Sequence, residues 1–221
     1  MAQQFLEKQE AADAPILSDW QYGYGRVVLP EYGAGDASHA GVFELEFTPL
    51  PHYADSQWRG GPEIPDDALG WASLHAQGGH PGRTNEHSVI RRWRAPEAGA
   101  LTLSGVLEHS NENGDGVIGA VLSERHGVLW RATVHNGRAE SSLDAVAVEA
   151  GDVLDFVVLP GATDSFDSFR WAPELTLHKP DNRVEGWHAA HDFAGPPPPP
   201  MTPWEQYAQV LLLSNEFVFV D

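Results

Sequence analysis

The stretch Leu101-Thr102-Leu103-Ser104-Gly105-Val106-Leu107 places apolar side chains at every second position. Successive side chains of a β-strand point to opposite faces, so this spacing predicts a strand with one buried face. The segment Val42-Phe43-Glu44-Leu45-Glu46-Phe47 has the same period. The two segments therefore predict a fold built from half-buried strands.

Further apolar runs extend this pattern along the chain. Residues 117–122, 128–134 and 153–159 are nearly continuous in apolar residues, as expected for strands covered on both faces. Shorter runs raise the expected number of strands to nine or ten, and they lie around 22–29, 88–94, 146–149 and 174–178. No helical pattern of useful length interrupts them. We therefore predict a mainly β fold, an antiparallel β-sandwich of jelly-roll type, rather than a βαβ fold.

The two ends of the chain have a different composition. Residues 1–19 contain good helix formers and predict a short N-terminal helical segment, and residues 20–180 form the predicted β-sandwich binding domain. Residues 181–200 are predicted to be a linker with a polyproline spacer, and 201–221 a C-terminal helix and tail. Thr202, Pro203 and Glu205 predict a capping box and a helix from Pro203 to about Leu213, whose apolar stripe requires a partner.

The composition limits the classes of function. The chain has a formal net charge of −19, which disfavours nucleic acid as a partner. It has no cysteine, hence no disulfide, no thiolate ligand and no attachment site for c-type haem. No apolar run is long enough to span a membrane. The 22 Gly, 17 Pro and 8 Trp are typical of exported β-rich domains, so we expect an extracellular, cell-surface or periplasmic location.

The tail TPWEQYAQVLLLSNEFVFVD at 202–221 resembles the C-terminal end of large planctomycete surface proteins that carry an N-terminal cytochrome c domain. DWQYGYG at 19–25, LGWASLHAQGGHPG at 69–82 and IRRWRAPEAGALTLSG at 90–105 resemble a domain inserted in some of those proteins. The resemblance implies that the chain is the C-terminal part of a larger protein, with the remainder of that protein as a partner. The haem motif is missing here, so we expect no haem in this part.

A second resemblance concerns the predicted sandwich. The segments IRRWRAPEAG, NGDGV at 113–117, GDVLDFVV at 151–158 and DSFDSFRWAP at 164–173 are similar to carbohydrate-binding modules with jelly-roll folds. This resemblance implies binding of a polysaccharide or oligosaccharide on behalf of the larger protein.

Aromatic and cationic residues supply the predicted sugar site. Trp58 and Trp71 lie beside glycine-rich loops, where an indole can stack on a sugar ring, although a tryptophan near a turn is often a core residue. Residues 80–94 contain four arginines and one glutamate, a local reversal of the overall charge. His80, Arg83, Arg91 and Arg92 are therefore candidate ligands of an acidic or sulfated sugar, the alternative being ion pairs with surface carboxylates.

Two loops contain oxygen ligands suited to calcium. NENGDGV at 111–117 and DSFDS at 164–168 contribute Asp115, Asp164 and Asp167 as candidate ligands of a structural calcium ion. Asp and Asn beside glycine also form simple turns, so both interpretations stay open.

Motifs for catalysis are absent. The sequence contains neither HEXXH nor GxSxG, so we expect the chain itself to be non-catalytic. The leading hypothesis is a carbohydrate-binding domain that targets its parent protein to polysaccharide. The alternatives are a structural interaction module without sugar binding and a polysaccharide lyase or hydrolase, since paired carboxylates follow no sequence spacing rule.

Overall fold

The computed structural model describes residues 19–31, 42–197 and 201–213. These residues form antiparallel sheets and one α-helix, which confirms the predicted mainly β sandwich. The predicted N-terminal helical segment lies outside the described residues except for Asp19.

One layer of the sandwich is a six-stranded sheet in the order β13-β12-β16-β9-β1-β4. Its strands are β1 (Trp20–Gly25), β4 (Thr48–Pro49), β9 (Ser88–Arg94), β12 (Val117–Ser123), β13 (Gly127–Val134) and β16 (Val153–Pro160). Two of the apolar runs predicted to be covered on both faces, 117–122 and 153–159, lie in the central strands β12 and β16, which are mostly buried. The third, 128–134, lies in the edge strand β13 and is only partly buried, so the prediction for this run was wrong.

The opposite layer consists of two sheets. The seven-stranded sheet has the order β14-β11-β17-β8-β7-β6-β5, and the four-stranded sheet has the order β15-β10-β18-β19. The seven strands are β5 (His52–Ala54), β6 (Gln57–Arg59), β7 (Ser73–His75), β8 (Gly78–His80), β11 (Val106–His109), β14 (Gly137–Glu140) and β17 (Phe169–Arg170). The four are β10 (Gly99–Ser104), β15 (Leu143–Val148), β18 (Glu174–His178) and β19 (Val184–His188).

The main core lies between the two layers. Trp93 and Phe156 from the six-stranded sheet pack in one buried cluster with Leu74 and Leu107 from the seven-stranded sheet and Leu177 from the four-stranded sheet. Burial of apolar surface is the dominant favourable contribution to the free energy of folding. The shared cluster therefore fixes the three sheets as one sandwich.

A second apolar cluster lies on the other face of the six-stranded sheet. The ribbon of β2 (Val27–Val28) and β3 (Glu44–Leu45) covers Ile90 and Val157 there. Phe43, Leu45 and Phe47 all pack on this cluster. The period-two pattern of 42–47 thus predicted the buried face correctly, although the regular strand is only two residues long.

Gly105 divides the segment 101–107, which was predicted to be one strand. β10 ends at Ser104 in the four-stranded sheet, and β11 begins at Val106 in the seven-stranded sheet. A Cβ atom at Gly105 would lie 3.0 Å from the Ser141 Oγ and 3.2 Å from the Trp171 Nε1. The single predicted strand is therefore two strands, and the close packing at Gly105 favours a residue without a side chain, because a larger residue would require Ser141 or Trp171 to shift.

The sandwich continues beyond the predicted boundary at residue 180. β19 pairs with β18 inside the segment predicted to be a linker, and residues 193–195 then cross the edge of the sandwich. Phe193 packs against Tyr22 with ring centroids 4.7 Å apart. We call residues 193–195 the strap. The linker prediction was wrong here because β19 is stabilised by cross-strand pairing, which its own sequence pattern does not reveal.

The C-terminal helix α1 spans Pro203–Leu213, as predicted. Thr202 Oγ1 accepts a hydrogen bond from the Glu205 backbone N–H at 3.3 Å, and Glu205 Oε2 accepts one from the Thr202 N–H at 2.7 Å. These two bonds are the predicted capping box. None of the described helices has the length and apolar character needed to cross a membrane.

Candidate functional site

The outer face of the seven-stranded sheet carries a row of polar side chains across neighbouring strands. Strand register aligns Gln57 with His75, His75 with Gly78, Gly78 with Arg170, and Arg170 with Glu108. The intervening residues Leu74, Leu107 and Phe169 face the core. From Gln57 to Glu108 the row crosses five strands, or about 19 Å at the usual strand spacing.

This row forms the floor of an open groove of about 620 Å³, which we call the first groove. Its lining combines the row with Arg59, Ile64, Trp71, Ser73, His80 and Ser110. Trp71 is 45% exposed, and its ring lies 6.0 Å from the His80 ring. An exposed indole beside planar polar groups is suited to a ligand with one apolar face and many hydroxyls.

Two histidines offer opposite hydrogen-bonding groups to the groove. The His75 Nδ1 accepts a hydrogen bond from the Gln77 N–H at 3.3 Å, which leaves the proton of the neutral ring on Nε2 as a donor. The His80 Nδ1 lies 2.6 Å from the Pro81 carbonyl oxygen and therefore donates to it, leaving Nε2 as an acceptor. Burial lowers the pKa of both rings, and Arg91 and Arg170 lower that of His75 further. Both rings are accordingly neutral at pH 7.

Cationic groups dominate the charge of the first groove. Arg170 is exposed and forms no ion pair within the described residues. Arg59 is buried and bonds Asp55 at 3.2 Å, but its Nε has no hydrogen-bond partner among the described residues. The carboxylate of Glu108 is held by Arg138 at 3.2 Å. A ligand oxygen in the groove therefore meets two guanidinium groups and one already paired carboxylate.

Trp71 and His80 are the two predicted ligands that the structure brings together in the first groove. Arg83 lies outside its lining. The Arg83 side chain is exposed, packs against Gly70, and donates to the Asp67 carbonyl oxygen at 3.2 Å.

Arg91 does not have the predicted role, because its side chain is buried in the core. The guanidinium donates to the His75 carbonyl oxygen at 2.8 Å and to the Trp171 carbonyl oxygen at 3.4 Å. Burial lowers its pKa to about 10. Arg91 therefore supports, from behind, the strand that carries His75, and it is closed to an external ligand.

Arg92 is likewise removed from the predicted site. It lies on the other face of the six-stranded sheet, where its guanidinium forms two hydrogen bonds to Asp155 at 2.7 and 2.9 Å. It also stacks 4.1 Å above the centre of the Phe47 ring. Arg92 therefore pairs with a carboxylate, as in the alternative interpretation, but that carboxylate is buried and does not lie on the surface.

Trp58 points to the opposite side of the sheet from the first groove. It is paired with Leu74, a core residue, and its ring packs near Tyr22 and Tyr53. The Trp58 Nε1–H donates to the Ala194 carbonyl oxygen at 2.8 Å. Trp58 therefore anchors the strap, and the alternative interpretation as a core residue applies.

The three predicted calcium ligands lie in neighbouring loops. Asp115 accepts hydrogen bonds from the Ala162 N–H and, at 3.1 Å, from the Thr163 Oγ1. Asp167 is fully buried, and neither of its carboxylate oxygens has a hydrogen-bond partner of normal geometry among the described residues. Burial, together with the charges of Asp115 and Asp164, raises the pKa of Asp167 to about 7, although the nearby Gly161 backbone N–H lowers it. In the described part of the chain no three carboxylate or imidazole groups are close enough to hold a metal ion.

Sequence patterns do not reveal the residues that form the floor of the groove. Gln57, Arg170 and Glu108 belong to strands of two to four residues, which are too short to show a period. The basic segment at 80–94 was predicted to supply the ligands instead, but its Arg91 and Arg92 lie on β9 in the other layer. Only the pairing of β17 with β8 and β11 brings Arg170 beside Glu108.

Comparison with known proteins identifies no family for this chain. Neither a protein-family model nor a curated protein matches the sequence.

Proposed function

We propose that this chain is a non-catalytic carbohydrate-binding domain that attaches a larger secreted or surface protein to an acidic or sulfated polysaccharide. The observation that supports this proposal is the first groove, where exposed Trp71 lies beside His80 and the polar row that contains His75 and Arg170. Sugar rings stack on indole faces, and guanidinium groups bind carboxylate or sulfate with forked hydrogen bonds. The groove is open to solvent, as binding of a polymer requires.

Retention on immobilised polysaccharides tests this proposal. We expect retention on acidic or sulfated polymers that weakens as salt is raised, and little retention on neutral glucan. Arg170→Gln should reduce retention at least tenfold, because it removes the guanidinium that has no ion pair among the described residues. Arg83→Gln is the matched control, since it removes an exposed arginine outside the groove and should leave retention unchanged. Equal retention on neutral glucan at low and high salt would contradict the proposal.

The same polysaccharides test the catalytic alternative. Incubation with the domain should release neither reducing ends nor unsaturated products. Release of either product, abolished by His75→Ala, would assign a lyase or hydrolase activity to the groove instead.

We also propose that calcium binds near Asp167. This proposal rests on the fully buried Asp167 carboxylate, which has no hydrogen-bond partner of normal geometry in the described residues, and on the charges of Asp115 and Asp164, which act on it. The three carboxylates do not form a ready-made cluster in the described residues, so backbone carbonyl oxygens would complete the site. Calcium binds carboxylate and carbonyl oxygens, and an ion held only by the folded state raises the melting temperature. Millimolar calcium should raise the melting temperature of the chain, and Asp167→Asn should abolish that increase.

One observation favours an interaction module as a second candidate function. Trp204 is 80% exposed on α1, and Tyr207, Val210 and Leu212 are exposed beside it. An exposed apolar patch of this kind is typical of an interaction site, here with the remainder of the parent protein. Trp204→Ser with Leu212→Ser should reduce self-association or capture of the parent protein without changing polysaccharide retention. Loss of retention in this variant would indicate that α1 belongs to the sugar site.

A further inference from the structure

A second cleft opens next to the first groove. It has a volume of about 450 Å³ and is lined by Ser110, Asn111, Glu112, Asn113, Asn136 and Ser168. Its lining contains three side-chain amides, which can donate to and accept from sugar hydroxyls. It contains no arginine, lysine or histidine, so its chemistry differs from that of the first groove.

The two cavities are adjacent. Ser110 and Ser168 belong to the lining of both, and Ser110 directly follows β11, whose Glu108 ends the polar row of the first groove. A chain that lies along the row from Gln57 to Glu108 therefore passes over Ser110 into the amide-lined cleft. The combined surface exceeds the 19 Å of the row, a length suited to several linked sugars.

His109 holds the walls of the second cleft in place. It is fully buried, and its Nε2 donates to the Phe166 carbonyl oxygen at 2.9 Å. Its Nδ1 accepts a hydrogen bond from the Asn136 N–H at 3.3 Å. One imidazole thus ties the loop that leads to Ser168 to the turn that carries Asn136. A cleft fixed by buried contacts loses little conformational freedom when a ligand binds.

The loop at 165–166, which approaches Gly114 next to the cleft residue Asn113, carries an exposed aromatic ring. Phe166 is 54% exposed and has a φ of 70°, a backbone conformation that is rare for a bulky residue. Gly114 allows the loop to approach, since a Cβ atom there would lie 2.3 Å from the Ser165 carbonyl oxygen. Strained backbone of this kind is concentrated at binding sites.

The charges of the two cavities are opposite. Arg170 and Arg59 supply positive charge in the first groove, whereas Glu112 is the charged residue in the lining of the second cleft. A carboxylate or sulfate placed beside Glu112 would be repelled, because like charges at short distance raise the free energy of the complex. An uncharged, hydroxyl-rich sugar avoids this cost and satisfies the amides.

From these observations we infer that the ligand is an internal stretch of a polysaccharide in which acidic sugars alternate with uncharged sugars. The acidic sugar binds in the first groove, and an uncharged neighbour binds among Asn111, Asn113 and Asn136. This inference rests on the proposed function and adds to it the length and the charge pattern of the ligand.

Chain-length dependence of affinity tests the extended site. Hyaluronan oligosaccharides carry a carboxylate on alternate sugars and are suitable probes, measured by titration calorimetry on the full chain. We expect the octasaccharide to bind at least tenfold more tightly than free glucuronate, which supplies the acidic sugar alone. Asn113→Ala combined with Asn136→Gly should lower the affinity for the octasaccharide about tenfold, as expected for two lost hydrogen bonds, and leave the affinity for glucuronate unchanged. Glycine at 136 keeps the turn, because Asn136 has a φ of 43°.

The charge pattern needs a second probe. Oligogalacturonate of equal length carries a carboxylate on every sugar and should bind several-fold more weakly than hyaluronan. Glu112→Gln should remove most of that difference by raising the affinity for oligogalacturonate alone. Equal affinity for glucuronate and octasaccharide, or no effect of Glu112→Gln, would overturn the inference while leaving sugar binding intact. Absence of binding to any acidic polysaccharide would overturn the proposed function, and the extended site with it.

Discussion

Arg92 and Asp155 face each other on adjacent strands of the six-stranded sheet and are joined by two hydrogen bonds of 2.7 and 2.9 Å. Both side chains are largely buried, and the Phe47 ring covers the guanidinium. Burial raises the pKa of the Asp155 carboxyl, whereas Arg92 lowers it. The pair is therefore part of the structural framework and does not contact the groove.

Arg92→Ala should destabilise the fold by about 3 kcal/mol, because it leaves the Asp155 charge buried without its partner. Urea denaturation measures the free energy of unfolding. Arg94→Ala is the control: Arg94 lies on the same strand and donates to the Gly151 carbonyl oxygen at 3.0 Å, an exposed contact that should contribute under about 1 kcal/mol. If Arg92→Ala keeps its stability but loses polysaccharide retention, then Arg92 contacts the ligand and is not part of the framework.

The two predicted tryptophans should behave in opposite ways. Trp71→Ala should abolish polysaccharide retention and change the melting temperature little, because the Trp71 ring is exposed in the first groove. Trp58→Ala should destabilise the fold by about 3 kcal/mol, since it removes a ring packed on the core and the hydrogen bond to Ala194. Melting curves and retention assays on both variants make the comparison. A large loss of stability in Trp71→Ala would identify that ring as a core residue.

The sequence predicted the elements whose own pattern is sufficient to specify them. β9 and β18 have the bounds expected, and the capping box of α1 begins the helix where Thr202 and Pro203 predicted it. Local spacing determines such elements, because the strand period and the helix cap each depend on a few neighbouring residues.

The site depended on pairing between distant segments. Arg170 comes beside Glu108 only through the register of two short strands, and no local pattern of either strand specifies that register. Similarly, Arg91 and Arg92 are consecutive residues on β9, so their side chains point to opposite faces of the sheet. Arg91 lies in the main core and Arg92 on the other face of the sheet, and neither reaches the predicted sugar site. The alternation of side chains along the strand thus separates charged residues that are adjacent in the sequence.

Asp167→Asn should change the dependence of stability on pH. The pKa of Asp167 is raised from 3.8 to about 7 in the folded state, so its protonated form stabilises the fold below pH 3.8, and this stabilisation is lost as the pH rises to about 7. Asparagine cannot ionise. In EDTA, the melting temperature of the variant relative to the native chain should therefore be higher at pH 8 than at pH 4.5.

The same comparison separates Asp167 from the histidines. Burial lowers the pKa of His75 and His80, so their contribution to stability is lost as the pH falls below 6.5, the opposite direction. Both chains share that loss, and it cancels in the difference between them. An equal difference between variant and native chain at pH 4.5 and pH 8 would show that the Asp167 carboxyl keeps an ordinary pKa.

The strap sets the shortest stable form of the sandwich. Phe193 packs on Tyr22, the Ala194 carbonyl oxygen accepts the Trp58 indole N–H, and Gly195 lies so close to Tyr53 that a Cβ atom would be 2.5 Å from its ring. A chain ending at residue 197 keeps all three contacts and should retain both its melting temperature and its polysaccharide binding. A chain ending at residue 192 exposes the Tyr22 and Trp58 rings and should lose about 3 kcal/mol of stability.

The chain ending at 197 also lacks α1, so it tests whether the helix contributes to the sandwich. Urea denaturation of the two shortened chains beside the full chain separates the strap from the helix. Phe193→Ala in the full chain is the matched control, since it removes the ring without removing the backbone of the strap, and it should lower stability by about 2 to 3 kcal/mol. If the chain ending at 197 unfolds as readily as the one ending at 192, then the stability of the sandwich depends on residues after 197, which include α1.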